Sequence, residues 1–151
     1  MIKVYTDGAT SNNGYANAVG GAAYVVLEND EVVSKSSWTF APATNNQCEM
    51  KAIIEGCLYV KEHYPLQKII VYSDSAYCIN CYKQKWYKKW EKNDWINSKK
   101  EPVKNRELWE QLIPFFEDER FDFVKVAGHA GNKYNEMVDE LAVQARLQKE
   151  S

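Results

Sequence analysis

At 151 residues, with 45% hydrophobic and 26% charged residues, the chain has the length and composition of one globular domain with its own core. No apolar run approaches the ~20 residues of a membrane span, and the opening MIKVYTDGA lacks the charged, apolar and small-residue zones of a secretory leader; the expectation is a soluble, cytoplasmic protein without a membrane partner. Net charge is −2, but nine Lys or Arg stand against three acids from Asn80 to Arg106, a local +6 that leaves −8 on the rest.

The start of the chain predicts strands: Ile2 to Thr6, then Gly20 to Glu28, a short Asn29-Asp30 turn, and Val32 to Phe40, an antiparallel meander. After Pro42 the period changes. Met50, Ile53, Ile54, Cys57 and Leu58 mark one face of a helix that Asn46 would cap and Pro65 would end. Lys68 to Ser73 reads as a buried strand, helical spacing resumes from Ser75 through Lys92, and Asp94 to Lys104 is polar. Arg106 to Leu112 reads as a helix interrupted by Pro114. A last strand, Phe121 to Ala127, leads through Gly128-His129 into a helix from about Asn135 to Gln148, with Val138, Leu141, Ala142 and Ala145 inward. This order predicts an α/β fold with a mixed five-stranded sheet, three antiparallel strands first and parallel strands after, flanked by helices.

Two nearly identical words occur in it: VYTDGA at Val4 to Ala9 and VYSDSA at Val71 to Ala76. If their strands are parallel neighbours, Asp7 and Asp74 project together from the carboxyl ends, where open α/β sheets place ligands. Two close carboxylates repel, and the site must either protonate one or bind a cation. Oxygen-only ligands suit Mg²⁺ or Mn²⁺ rather than zinc. Glu49 stands about 100° around its helix from Met50 and Asp139 has the same relation to Val138, so both can reach the sheet end without entering the core.

Each acid has a structural alternative. Asp7-Gly8 fits a turn, Asn46-x-x-Glu49 a capping box, Asp74-Ser75 a helix start, and Asp139 a solvated helix acid. Their joint placement favours a site. His129, flanked by Gly128 and Gly131 near the same sheet end, can swing over a substrate, whereas His63 before Pro65 looks like a helix C-terminal residue. Of the four cysteines only Cys78-x-x-Cys81 has ligand-like spacing, with no second close pair, so buried thiols are expected rather than zinc or redox chemistry.

On the predicted helix from Ser75, Lys85, Lys88, Lys89 and Lys92 fall at i, i+3, i+4 and i+7, beside Tyr82, Trp86 and Trp90 at i, i+4 and i+8. Positive charge beside aromatic rings fits a nucleic-acid partner, through phosphate neutralisation and packing on sugars or bases. Alternatively, the tryptophans pack on the helix carrying Leu108, Trp109 and Leu112, and the lysines are only solvated.

YTDGA, TNNQCEM from Thr44, YSDSAY, KKEPVKNRELWEQL and AGHAGNKYNEMVDELA from Ala127, in this order and almost end to end, resemble type 1 ribonuclease H of the bacterial kind with a basic protrusion. The resemblance implies one ribonuclease H domain over residues 1–151, with the protrusion at about 80–106, and an endonuclease, acting as a monomer, that cuts the RNA strand of an RNA/DNA hybrid. It assigns metal binding to Asp7, Glu49, Asp74 and Asp139 and a mobile catalytic histidine to His129. Hybrid contacts fall to Gly8, Asn45 and Asn135, a DNA-phosphate pocket to Asn13 and Thr44, and an aromatic place in the DNA-strand channel to Trp86, while Lys85, Lys88 and Lys89 bind nucleic acid from the basic lobe that corresponds to the protrusion. The implied chemistry is hydrolysis with two Mg²⁺ ions about 3.5–4 Å apart, leaving 5′-phosphate and 3′-hydroxyl ends.

Two features depart from the family pattern. The loop GATSNNGYANAVGG replaces the Gly-Asn-Pro-Gly turn of many bacterial members, and Pro114 falls in a helix that is usually continuous. No hybrid-binding module precedes Met1, so binding is expected to rest on the lobe and the groove. A transposase or resolvase on the same sheet would bring further DNA-binding domains, a non-catalytic hybrid binder would lack an acid, and a phosphotransfer domain using Asp7 as nucleophile would leave the lysine stripe and the last motif idle.

Overall fold

The computed structural model describes residues 1–11, 18–41, 44–126 and 132–150, with side chains in the last helix described to 147. Five strands form one sheet in the order β3-β2-β1-β4-β5: β1 (Ile2–Ser11), β2 (Val19–Glu28), β3 (Glu31–Phe40), β4 (Ile69–Ser73) and β5 (Phe121–Lys125). β1 to β3 pair antiparallel, and β4 and β5 join parallel to β1, as the element order predicts. Asn29 and Asp30 both take positive φ, 52° and 64°, which matches the twist of a two-residue hairpin.

Helices cover both faces, which explains why GGAAYVVLE is almost wholly apolar rather than alternating. On one face Val4, Tyr24 and Val26 meet Met50, Ile53, Ile54 and Cys57 of α1 (Asn45–His63). The same core runs on into α2 (Ala76–Gln84), α3 (Trp86–Lys92) and α4 (Arg106–Phe116). On the other face Tyr5, Ala23, Val25 and Leu27 meet Val138 and Ala142 of α5 (Lys133–Glu150).

Several predicted boundaries are corrected. The cap of α1 is Thr44, not Asn46: its Oγ1 accepts from Gln47 N at 3.2 Å while Gln47 Oε1 accepts from Thr44 N at 3.1 Å, because the reciprocal box needs Thr and Gln three apart. The expected single helix from Ser75 to Lys92 breaks at Lys85, which is left-handed at φ 55°. That conformation costs about 1–2 kcal/mol for a residue with a Cβ, and the turn it makes lets Tyr87 reach 2% exposure beside Phe116. Pro114 does not interrupt α4. It is exposed in the last turn, and the carbonyl it leaves unpaired belongs to exposed Glu110. β1 runs beyond Thr6 to Ser11 because β2 continues to pair with it.

Candidate active site

The two words lie side by side. Val4 pairs with Val71 and Tyr5 with Tyr72, so Asp7 and Asp74 each stand two residues past a matched pair. β4 ends there and Ser75 caps α2, its Oγ accepting from Cys78 N at 3.1 Å, while Ser75 N donates to Ser73 Oγ at 3.1 Å. These bonds hold the backbone on either side of Asp74.

Glu49 arrives from the start of the second turn of α1. A Cβ on Gly8 would lie 2.5 Å from Cys48 C and Cβ and 2.7 Å from Glu49 N, so only a glycine there lets α1 press this closely on β1. Carboxylate oxygens of Asp7, Glu49 and Asp74 lie within 4.8 Å of one another. Asp139, exposed on α5, faces Asp7 within side-chain hydrogen-bonding reach, and it lines the same cleft of 380 Å³ with Gly8, Asn45 and Tyr77.

The electrostatics show what this cluster can hold. Burial, the contact with Asp139 and the charge of Asp74 push the Asp7 carboxyl up to about 8, although Gly8 N donates to its Oδ1 at 2.8 Å. Glu49 is raised well above the ordinary carboxylate range by burial and by the charges of Asp7 and Asp74. Its Oε2 is sealed from solvent with no hydrogen-bond partner among the described residues. An orphaned carboxylate oxygen among crowded acids fits a hard divalent cation with oxygen ligands.

Residues 1–146 match the pattern of the RNase H family. The chain belongs to the ribonuclease H family. It is 40% identical over 146 residues to a ribonuclease H of Clostridium botulinum strain Hall, covering 95% of this chain and 94% of that one. A ribonuclease H of Thermoanaerobacter strain X514 is 40% identical over 144 residues, with 95% and 88% covered. Among solved structures, LC11-RNase H1 in complex with RNA/DNA hybrid aligns over 100% of both chains, with a TM-score of 0.72 and 23% identity. The ribonuclease H fold and enzyme class expected from the motifs are thus present, and the acidic cleft stands at the sheet end that the motifs predict.

Around this ribonuclease H cleft the other expected residues fall unevenly. Thr44 uses its hydroxyl oxygen in the α1 cap, Asn45 lines the cleft, and Asn135 is buried at the start of α5. Asn13 and His129 lie outside the described residues. In the lobe, Lys88 and Lys89 are exposed on α3, and Lys89 shares a groove of 390 Å³ with Trp86 and Trp90. Lys85 does not join that stripe. The break it makes sends it to a separate cleft with Tyr82, Lys83 and Tyr87. Trp90 packs on Trp95 and on Trp109 of α4, as the alternative reading of the tryptophans has it, and Tyr82 packs on Phe116 and Phe123, so both rings pack half-buried against the core.

Sequence reasoning missed one link. Gln47 Nε2 donates to Asn105 Oδ1 at 3.3 Å, joining the start of α1 to the residue that opens α4 and closes the basic lobe. The Thr44-x-x-Gln47 box was readable, but its distant partner was not. All four cysteines are free and buried, and burial pushes the Cys78 and Cys81 thiols up to about 12, as expected of inert core thiols. No helix among the described residues is long and apolar enough to cross a membrane.

Proposed function

We propose that the chain is an endonuclease that hydrolyses the RNA strand of an RNA/DNA hybrid, leaving 5′-phosphate and 3′-hydroxyl ends, as a cytoplasmic monomer formed by one domain with a basic protrusion. The observation that carries this is the cluster of Asp7, Glu49 and Asp74 oxygens within 4.8 Å, with Asp139 beside it, in a chain of this family. That one related structure was solved in complex with RNA/DNA hybrid supports the substrate. Two Mg²⁺ ions, with Mn²⁺ as a substitute, would supply the charge that activates water and stabilises the leaving 3′ oxygen.

Asp7, 4% exposed and in contact with both Glu49 and Asp139, would hold the ions together with Glu49, Asp74 and Asp139. Thr44 accepts in the cap, which leaves its hydroxyl proton to donate to a phosphate oxygen of the DNA strand, with Asn13. Gly8, Asn45 and Asn135 border the hybrid, and Trp86 with Lys88 and Lys89 tracks the DNA strand; Lys85 contributes only long-range charge. Contacts to 2′-hydroxyls select RNA as the cut strand. His129 assists proton movement or product release, so its loss slows turnover without abolishing it.

A cleavage assay on labelled RNA as single strand, RNA duplex and RNA/DNA hybrid tests this reading. Cleavage is expected on the hybrid alone, lost with chelator and reduced about 10³-fold in Asp7→Asn, roughly 4 kcal/mol of transition-state stabilisation. Equal rates on single-stranded RNA, or full activity in Asp7→Asn, would overturn it.

A further inference from the structure

α5 runs alongside β1 in the same direction. Asn132, just before the helix, donates from Nδ2 to the Tyr5 hydroxyl at 3.4 Å. Two turns later Asp139 meets Asp7. Further on, Ala142 O and Arg146 N press on Gly21, the partner of Ala9 in the sheet, and Arg146 Nη1 donates to Thr10 O at 3.4 Å. Contacts thus advance along β1 from Tyr5 to Thr10 as α5 advances from Asn132 to Arg146.

Asn132 and Asp139 are seven residues apart, so they share one stripe of the helix about 10.5 Å apart. Tyr5 and Asp7 share one face of the sheet. Asp139 is therefore bracketed by a close backbone approach at Gly21 and a hydrogen bond at Tyr5. The same Asn132 side chain also caps the helix, its Oδ1 accepting from Tyr134 N at 2.9 Å and Asn135 N at 3.1 Å. Tyr5 is held in turn: its ring is 5% exposed, stacks on Tyr72 at 4.6 Å and 11°, and lies 5.6 Å from Tyr134. Tyr134 donates its hydroxyl to Asp30 O at 3.2 Å. Neither Asn132 nor Tyr5 lines the acidic cleft.

We propose that Asn132, acting through the Tyr5 hydroxyl, is a positioning residue that sets the height of α5 on β1 and so brings the Asp139 carboxylate to Asp7. This rests on the metal-dependent reading above.

Tyr5→Phe deletes the hydroxyl and keeps the ring, and Asn132→Ser keeps a capping oxygen on a side chain too short to reach Tyr5. Made singly and together, the variants are compared with wild type in Mn²⁺ affinity by calorimetry, in the rise of Tm on adding Mg²⁺, and in kcat and KM on the hybrid. Each single variant is expected to weaken Mn²⁺ binding and lower kcat by about tenfold, the scale of outer partners of metal ligands, with KM unchanged. The double variant is expected to be no worse than the weaker single, because both break one link. Wild-type Mn²⁺ affinity and kcat in both singles, whatever happens to Tm, or losses that multiply in the double, overturn the proposal. A wild type that binds Mn²⁺ but cleaves no hybrid defeats only the substrate reading, since the titration still reads the link; a wild type that binds no Mn²⁺ defeats both.

Discussion

Asp7 carries two opposed demands: buried at 4% exposure it disfavours a charge, yet a cation held here would need that charge. Without metal, the folded carboxyl is raised to about 8, while in the unfolded chain it sits near the ordinary ~3.9. Between those values the folded state holds a proton that the unfolded state has released, so the metal-free protein loses stability as pH rises from about 4 through about 8. Thermal melts in chelator are expected to show Tm falling across that window by several degrees, at about 2–4 °C per kcal/mol for a domain of this size. Saturating Mg²⁺ should flatten the profile, and Asp7→Asn should make it shallower while leaving the part owed to buried Glu49; a flat wild-type profile in chelator would contradict the account of the buried acids. Gly8 is the second decisive residue. Gly8→Ala puts a methyl group 2.5 Å from Cys48 backbone, which a helix cannot absorb without moving. A destabilisation of about 1–3 kcal/mol is expected. Activity should fall by up to about 10², because Glu49 moves with the helix start. Wild-type Tm and kcat in Gly8→Ala would show that α1 need not touch β1 there.

At the level of elements, the parallel pairing of β1 with β4 turns two similar words into two adjacent carboxylates, and that was legible from the repeat VYTDGA and VYSDSA. The lobe was legible in charge but not in shape. Lys85 carries no glycine or asparagine signal for a left-handed residue, and what selects it is the burial of Tyr87 against Phe116, a sequence-distant partner that no local pattern records. Pro114 misled for a related reason: proline breaks a helix when the orphaned carbonyl is buried, and here it faces water. Of the predicted stripe, Lys88 and Lys89 stay together and exposed on α3, with Lys89 in one groove with Trp86. Lys88→Ala with Lys89→Ala is expected to raise KM for the hybrid at about 100 mM salt and to reduce the slope of log affinity against log salt by about one unit for each phosphate no longer neutralised, leaving kcat at saturation unchanged. An unchanged salt slope would place the hybrid elsewhere.

Over the whole molecule, a +6 lobe beside a −8 remainder would be repelled from a polyanion if the acids were spread evenly over the binding face. Part of that acidity is instead gathered into the cleft, where a bound cation would convert it from a repelling patch into a landing point for phosphate. Gathering it takes three devices that the sequence shows only in pieces: a glycine that admits α1, a serine cap after β4, and an asparagine that ties α5 to β1. The central claim, that these acids form one cation cage, is tested most directly by calorimetric titration of Mn²⁺ into wild type and Glu49→Gln at about pH 7.5. Saturable binding in wild type, weakened about tenfold or more in Glu49→Gln, is the predicted result; no saturable binding, or equal binding by the two proteins, would contradict it.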